Sequence, residues 1–231
     1  MKILSLTARI LFIIAVPALL FSASIAIAVN SQWLYEYGFE KYNISQVTGL
    51  DHGQLEKAAE GLISYFNSDE EWIDLTVTRN GDSFELFNQR EILHLKDVKE
   101  LFRLDYRVLL VSGVYALGFL AYAIGFKKDR RYLSKGLIWG GGVTLGLMLL
   151  TGAGIALNFD RLFLLFHLVS FDNDFWMLNP ATDYLIMLFP QGFWFDAAVF
   201  IALTAAVLAA ATGGAGFWLA RKRRSNDPLA D

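Results

Sequence analysis

Val108-Leu-Leu-Val-Ser-Gly-Val-Tyr-Ala-Leu-Gly-Phe-Leu-Ala-Tyr-Ala-Ile-Gly-Phe126 runs for 19 residues without an Asp, Glu, Lys or Arg, and the next nine residues, Lys127 to Lys135, carry five cations. A run of this length and polarity suits a helix crossing the bilayer core, which takes roughly 17 to 25 apolar residues. Lipid leaves no water to satisfy exposed peptide groups, so such a run is read as a helix with its hydrogen bonds closed internally. Three more charge-free runs, Ile10 to Val29, Gly136 to Leu157 and Ala197 to Ala220, have comparable lengths. The fold class predicted is an α-helical membrane protein with four transmembrane helices and a small extracytoplasmic α+β cap.

The cations fix the orientation expected of these spans. Lys2 and Arg9 precede the first, Lys127, Lys128, Arg130, Arg131 and Lys135 fill the loop between the second and third, and Arg221 to Arg224 follow the fourth, making 11 of the 20 Lys and Arg. The residues between the first and second spans carry a surplus of acids instead. Lys and Arg are enriched in cytoplasmic loops, so both termini and the middle loop are expected in the cytoplasm. The chain then divides into a tail with the first transmembrane helix (1–30), an extracytoplasmic cap (31–106), the second helix (107–126), a cytoplasmic loop (127–135), the third helix (136–157), an extracytoplasmic interfacial loop (158–196), the fourth helix (197–220) and a cytoplasmic tail (221–231). Ala26-Ile-Ala28 resembles a signal-peptide cleavage site, but the apolar run before it exceeds the usual 7 to 15 residues, so it is read as an uncleaved span. The chain has no cysteine, which excludes disulfides, thiolate nucleophiles and Cys-based metal sites.

Within the cap, Leu55, Ala58, Ala59, Leu62, Ile63 and Phe66 recur at helical spacing, predicting a helix over Leu50 to Phe66. Ile73, Leu75 and Val77 then alternate, Asn80-Gly81 marks a tight turn, and Phe84 and Leu86 resume the alternation, which reads as a β-hairpin. From Glu91 the period is helical again and continues into the second span. Gly140, Gly141, Gly142, Gly146, Gly152 and Gly154 give the third span the small residues that allow helices to approach closely. Beyond it, Leu162 to Val169 is amphipathic enough to lie at the interface, Asp172 to Asp174 and Asn179-Pro180 break the helix, Tyr184 to Phe189 suggests a short interfacial helix, and Ser225 to Asp231 suggests a disordered tail.

Two histidines stand at the outer ends of these spans. His94 lies three residues from both Glu91 and Asp97, so the three share a helix face. Asp97 is placed to orient the imidazole, and Glu91 or Lys99 to tune its charge; an ordinary salt-bridged helix face is the alternative. His167 lies among Phe163, Leu164, Leu165, Phe166 and Leu168 and must find a polar partner, with Asp172 to Asp174 nearest in sequence. Ionisable groups beside hydrocarbon are costly and mark functional sites by default. His52, at the start of the cap helix, reads as a surface histidine, and Asn43-Ile44-Ser45 matches a glycosylation tripeptide with no role assigned. The chain has no His-x-x-x-His or His-Glu-x-x-His spacing, which argues against a metal site; no metal and no other cofactor is expected.

Glu91, His94, Asp97, Val98 and Lys99 before the second span, with Phe166, His167, Asn173, Asp174, Trp176, Leu178 and Pro180 after the third, resemble the marks of the bacterial integral membrane family that includes lipoprotein intramolecular transacylase, Lit. The resemblance implies movement of the sn-2 acyl chain of a diacylglyceryl-modified lipoprotein to the α-amino group of its N-terminal Cys, leaving a lyso-form lipoprotein. It implies a membrane enzyme working on lipid and lipoprotein, with no nucleic-acid partner. On this reading His94 and His167 are catalytic and Glu91, Asp97, Lys99, Asn173, Asp174 and Trp176 support them. Two other functions use the same features: a non-catalytic cap that binds a lipid or protein partner, and an ester hydrolase that uses water as nucleophile.

Overall fold

The computed structural model describes residues 2–127 and 129–224. In chain order its elements are α1 (Lys2–Val29), α2 (Gln32–Lys41), α3 (Ile44–Thr48), α4 (His52–Asn67), β1 (Thr76–Arg79), β2 (Asp82–Glu85), α5 (Gln89–Ala121), which passes into a π-helical turn (Tyr122–Lys127), α6 (Arg130–Ser170), α7 (Tyr184–Leu188) and α8 (Gln191–Arg224). Among the described residues, four of these helices are long and apolar enough to cross a bilayer: α1, α5 with its π-helical turn, α6 and α8. The tail from Ser225, expected to be disordered, lies outside the described residues. The chain forms two compact units, Met1–Ile25 with Asp105–Ala153 and Ile201–Asp231, and Ala26–Leu104 with Gly154–Phe200.

The first unit is helical. Phe12, Val16, Ala116, Phe119, Ala123, Tyr132 and Leu133 form its buried cluster, with the rings of Phe12 and Phe119 stacked 4.1 Å apart. Its surface is inverted relative to a water-soluble domain: Leu110, Val111 and Leu149 are 66%, 69% and 76% exposed, which suits hydrocarbon as the solvent. The glycines of the third span divide by what they face. A Cβ on Gly141 would stand 2.7 Å from the Ala209 carbonyl oxygen and 2.8 Å from the Gly213 nitrogen, so only glycine lets α6 and α8 approach this closely. Gly142, Gly146 and Gly152 face open space and have no such role.

The second unit holds the mixed elements. Asp51 caps α4 by accepting from Gln54 N at 2.9 Å, as its place before the helical period suggests, and Leu55, Ala58, Ala59 and Leu62 are buried along its inner face. β1 and β2 pair antiparallel with Val77 opposite Phe84. Asn80 and Gly81 have φ of +55° and +94°, the left-handed pair that a two-residue hairpin turn requires. The strands are shorter than the alternation suggested: Ile73 and Leu75 precede β1, although Leu86 N still donates to Leu75 O at 2.8 Å. The aromatic stretch after the first span, for which no element was predicted, folds as α2. Leu34, Tyr35, Gly38 and Phe39 are its buried stripe, and the exposed Trp33 before it and Tyr37 within it blur that period in sequence.

Two local devices position the candidate site residues. At the start of α5, Asn88 Oδ1 accepts from Arg90 N and Glu91 N, while Glu91 Oε2 accepts from Asn88 N at 2.7 Å; this is a reciprocal cap that sets where the helix begins. On α6, Asn158 has an extended backbone (φ −164°, ψ 82°) that breaks the helix. Its Oδ1 accepts from Arg161 N at 3.0 Å and starts a second helical segment over 159–170. That segment ends in the loop 171–183 and carries His167.

Candidate active site

His94 of α5 and His167 of the 159–170 segment lie side by side in the second unit, with ring centroids 6.1 Å apart and planes inclined by 31°. They are 7% and 8% exposed, so both imidazoles are largely removed from solvent. Aromatic rings enclose them. Phe171 packs against both, at 5.0 Å from His94 and 5.7 Å from His167. Phe163 and Trp176 stand 4.5 Å and 4.9 Å from the His167 ring.

The hydrogen bonds assign the tautomer of His167. Its Nδ1 is 2.7 Å from the carbonyl oxygen of Phe163. A carbonyl can only accept, so Nδ1 carries the hydrogen and Nε2 keeps its lone pair. The expected partner was one of the acids at 172–174, and the structure differs: Asp172 and Asp174 are exposed, and the backbone one turn earlier satisfies the ring. That solution is open to any helical histidine, because the carbonyl four residues earlier keeps a second lone pair, so no side-chain motif announces it. His94 Nδ1 is buried with no hydrogen-bond partner among the described residues.

Burial holds the His94 imidazolium well below the ordinary histidine range, at about 4, and the neighbouring His167 adds to the effect. Burial likewise lowers His167, partly offset by its bond to Phe163. Both rings are therefore neutral at neutral pH.

The remaining residues singled out in the sequence hold the frame. Asp97 does not orient His94, as its shared helix face suggested; its Oδ2 accepts from Asn173 Nδ2 at 2.9 Å, tying the loop after His167 to α5. Asn173 Oδ1 also accepts from Phe175 N at 3.0 Å and sets the turn that brings Trp176 in. Asp174 contributes its backbone carbonyl, which accepts from Arg90 Nη2. Lys99 is 1% exposed and donates to Ser68 Oγ at 3.1 Å and to the Glu70 carbonyl at 2.6 Å, with its ammonium over the Tyr65 ring. It fastens α5 to the segment after α4. Glu91 is also 1% exposed and accepts at its two oxygens from Asn88 N and, at 2.6 Å, from Leu185 N. It joins the start of α5 to α7, and burial raises its carboxyl above the usual range. His52 is exposed and pairs with Glu56 on the surface.

Sequence reasoning passed over Asp183 and Asn88. Asp183 is buried; it accepts from Asn179 N at 2.7 Å and from Asn88 Nδ2 at 3.1 Å. The Asn88-x-x-Glu91 spacing was the available signal for the capping box. Among the described residues no three His, Cys, Asp or Glu side chains gather as a metal-binding group.

Four long apolar helices mark a multi-pass membrane protein, and the desolvated imidazole pair is its candidate acid–base group. A family model described as lipoprotein intramolecular transacylase Lit matches residues 10–194. The chain belongs to that family and is a membrane acyltransferase. Its fold matches a structure of the membrane integral lipoprotein intramolecular transacylase Lit of Bacillus cereus with a TM-score of 0.86, at 21% identity, over 97% of this chain and 100% of that one. A variant of the Bacillus cereus protein with a histidine replaced by arginine gives a TM-score of 0.80 at 20% identity over 98% and 96% of the two chains. The chain is also 27% identical to an uncharacterized protein of Aquifex aeolicus (strain VF5) over 203 residues, 87% of this chain and 88% of the other.

Proposed function

We propose that the protein moves the sn-2 acyl chain of a diacylglyceryl lipoprotein onto the α-amino group of that lipoprotein's N-terminal Cys, with His94 and His167 as the catalytic pair. The observation that carries this reading is the geometry of two neutral, desolvated imidazoles. They are too far apart to hydrogen-bond each other and near enough for one ester group to reach both.

The α-amine attacks the ester carbon as the free base, and its reference pKa of about 7.7 to 8 leaves much of it protonated at pH 7. His167 Nε2 takes the amine proton, because Nδ1 is committed to Phe163. The C–N bond forms, the bond from the acyl carbon to the glyceryl oxygen breaks, and the proton ends on that oxygen. His167 returns it to the glyceryl oxygen as that group leaves, and His94 donates a hydrogen bond to the tetrahedral oxyanion through whichever ring nitrogen bears hydrogen. Phe163, Phe171 and Trp176 keep water from competing as nucleophile and strengthen each polar contact in the site. Glu91, Asp97, Lys99, Asn173 and Asp174 hold α5, the 159–170 segment and the loop after it in register. Both termini lie in the cytoplasm and the histidine pair faces the other side, where the lipid-bearing N-terminus of a lipoprotein is exposed.

Mass spectrometry of lipoproteins from cells that express this chain and lack any other N-acylating enzyme tests the reading. An N-acylated lyso N-terminus is expected. Deacylation without N-acylation would replace transfer by hydrolysis, and unchanged lipid would replace catalysis by binding.

A further inference from the structure

A cavity of about 500 Å³ lies in the first unit among the π-helical turn after α5, the start of α6 and the end of α8. The histidine pair makes no use of it. Its walls are of two kinds. Ile124, Leu133, Leu219 and Trp218 give an apolar side, and Arg130 and Lys222 supply two cations against the single carboxylate of Asp129. That carboxylate is already engaged, since Asp129 Oδ1 accepts from Arg131 N at 3.0 Å and Tyr132 N at 3.2 Å as the cap of α6.

Two further observations point to a ligand. α5 ends in a π-helical turn at Tyr122–Lys127, which contributes Ala123 and Ile124 to the wall; π-turns are rare and concentrate at functional sites. Lys222 Nζ lies 5.0 Å from the centre of the Trp218 ring, which puts an ammonium and an indole together at the polar edge of an apolar wall. Aromatic rings of this kind sit at headgroup depth in a bilayer, and basic pockets between transmembrane helices take anionic headgroups.

We infer that this cavity binds a phospholipid with an anionic headgroup, its phosphate held between Arg130 and Lys222 and its upper acyl chain against Ile124, Leu133 and Leu219. The occupant is a membrane lipid rather than a soluble anion, because the apolar wall is continuous with the cationic edge. The site is independent of the acyl-transfer reading.

The test uses the full-length protein in neutral detergent, titrated with phosphatidylglycerol and with phosphatidylcholine of the same chains, and binding is read by native mass spectrometry. Phosphatidylglycerol is expected to be retained with a preference that R130Q and K222Q each lower about fivefold. K135Q, an exposed cation on α6 outside the lining, leaves the preference unchanged. Raising the salt to about 0.5 M should weaken retention of phosphatidylglycerol by the unaltered protein and leave phosphatidylcholine as it was, a readout that needs no variant to fold. Equal binding of the two lipids, an undiminished preference in R130Q and K222Q, or displacement of the lipid by millimolar inorganic phosphate would overturn the assignment.

Discussion

The carbonyl oxygen of Phe163 accepts the Nδ1 hydrogen of His167 at 2.7 Å, one helical turn away. A backbone acceptor moves with the helix that carries the ring, so tautomer and orientation are set within one segment. The bare Nε2 needs no carboxylate to prepare it. A neutral acceptor also leaves the pair without a compensating negative charge, and both rings stay uncharged where an acid partner would have favoured imidazolium.

The pH dependence of the reaction follows. On the proposed mechanism, with burial lowering both histidines, the group that limits the rate from the acid side should be the substrate's own ammonium. The rate of N-acylation of a diacylglyceryl lipopeptide should rise through about pH 7.7 to 8, without a separate inflection near 6.5. A rate that levels off above pH 7, with its midpoint near 6.5, would assign the limb to a histidine of ordinary pKa instead.

Stability, unlike the rate, should carry the titration of the histidine. His94 is about 4 when folded and near 6.5 when unfolded, so between those values the unfolded chain binds the proton and the folded one does not. The contribution of neutral His94 is complete above about pH 6.5 and is lost as pH falls toward 4. The melting temperature of the detergent-solubilised protein should fall across that window. In His94→Gln, which has nothing to titrate there, the fall should be shallower; equal slopes would contradict the depressed pKa.

Glu91 offers a contrast between a structural and a surface group. Removing its carboxylate strands two N–H donors, Leu185 N in the core and Asn88 N at the cap, and Glu91→Ala should cost about 1–3 kcal/mol. Glu91→Gln, which keeps an acceptor, should recover part of that loss. His52→Ala removes an exposed side chain and should stay within about 0.5 kcal/mol of the parent. Chemical or thermal unfolding of the three variants decides the ordering.

The orientation proposed for the spans is checked by reporter fusions. Reporters after Lys128 and after Asp231 should be active only as cytoplasmic proteins, and one inserted near Asp69 only on the other side. A C-terminal reporter outside the cytoplasm would remove the charge argument on which the orientation rests.

The spans and the hairpin could be read in advance because their signals are local. Hydrocarbon excludes charge, so each span shows as a charge-free run, and Asn80-Gly81 suits the left-handed turn that a two-residue hairpin needs. α2 was harder to see because Trp33 and Tyr37 break its apolar period from the exposed side. The histidines could be picked out because an imidazole among Phe and Leu needs a partner, but the partner itself was a peptide carbonyl, which every residue has. Asp97 illustrates the converse limit. Helical spacing puts it on the face of His94, yet its bond is to Asn173, 76 residues away, a pairing set by tertiary structure.

The central claim is that acyl transfer runs through His94 and His167. The most direct test is a lipopeptide carrying two different acyl chains at sn-1 and sn-2, incubated with the purified protein in nanodiscs and read by tandem mass spectrometry. The parent protein should place the sn-2 chain on the Cys nitrogen. His167→Asn, whose amide can still donate to the Phe163 carbonyl but cannot act as the base, should lower that rate by about 10²- to 10⁴-fold with little change in melting temperature, and His94→Gln should also lose transfer while remaining folded. Transfer at the parent rate by folded His167→Asn would contradict the account.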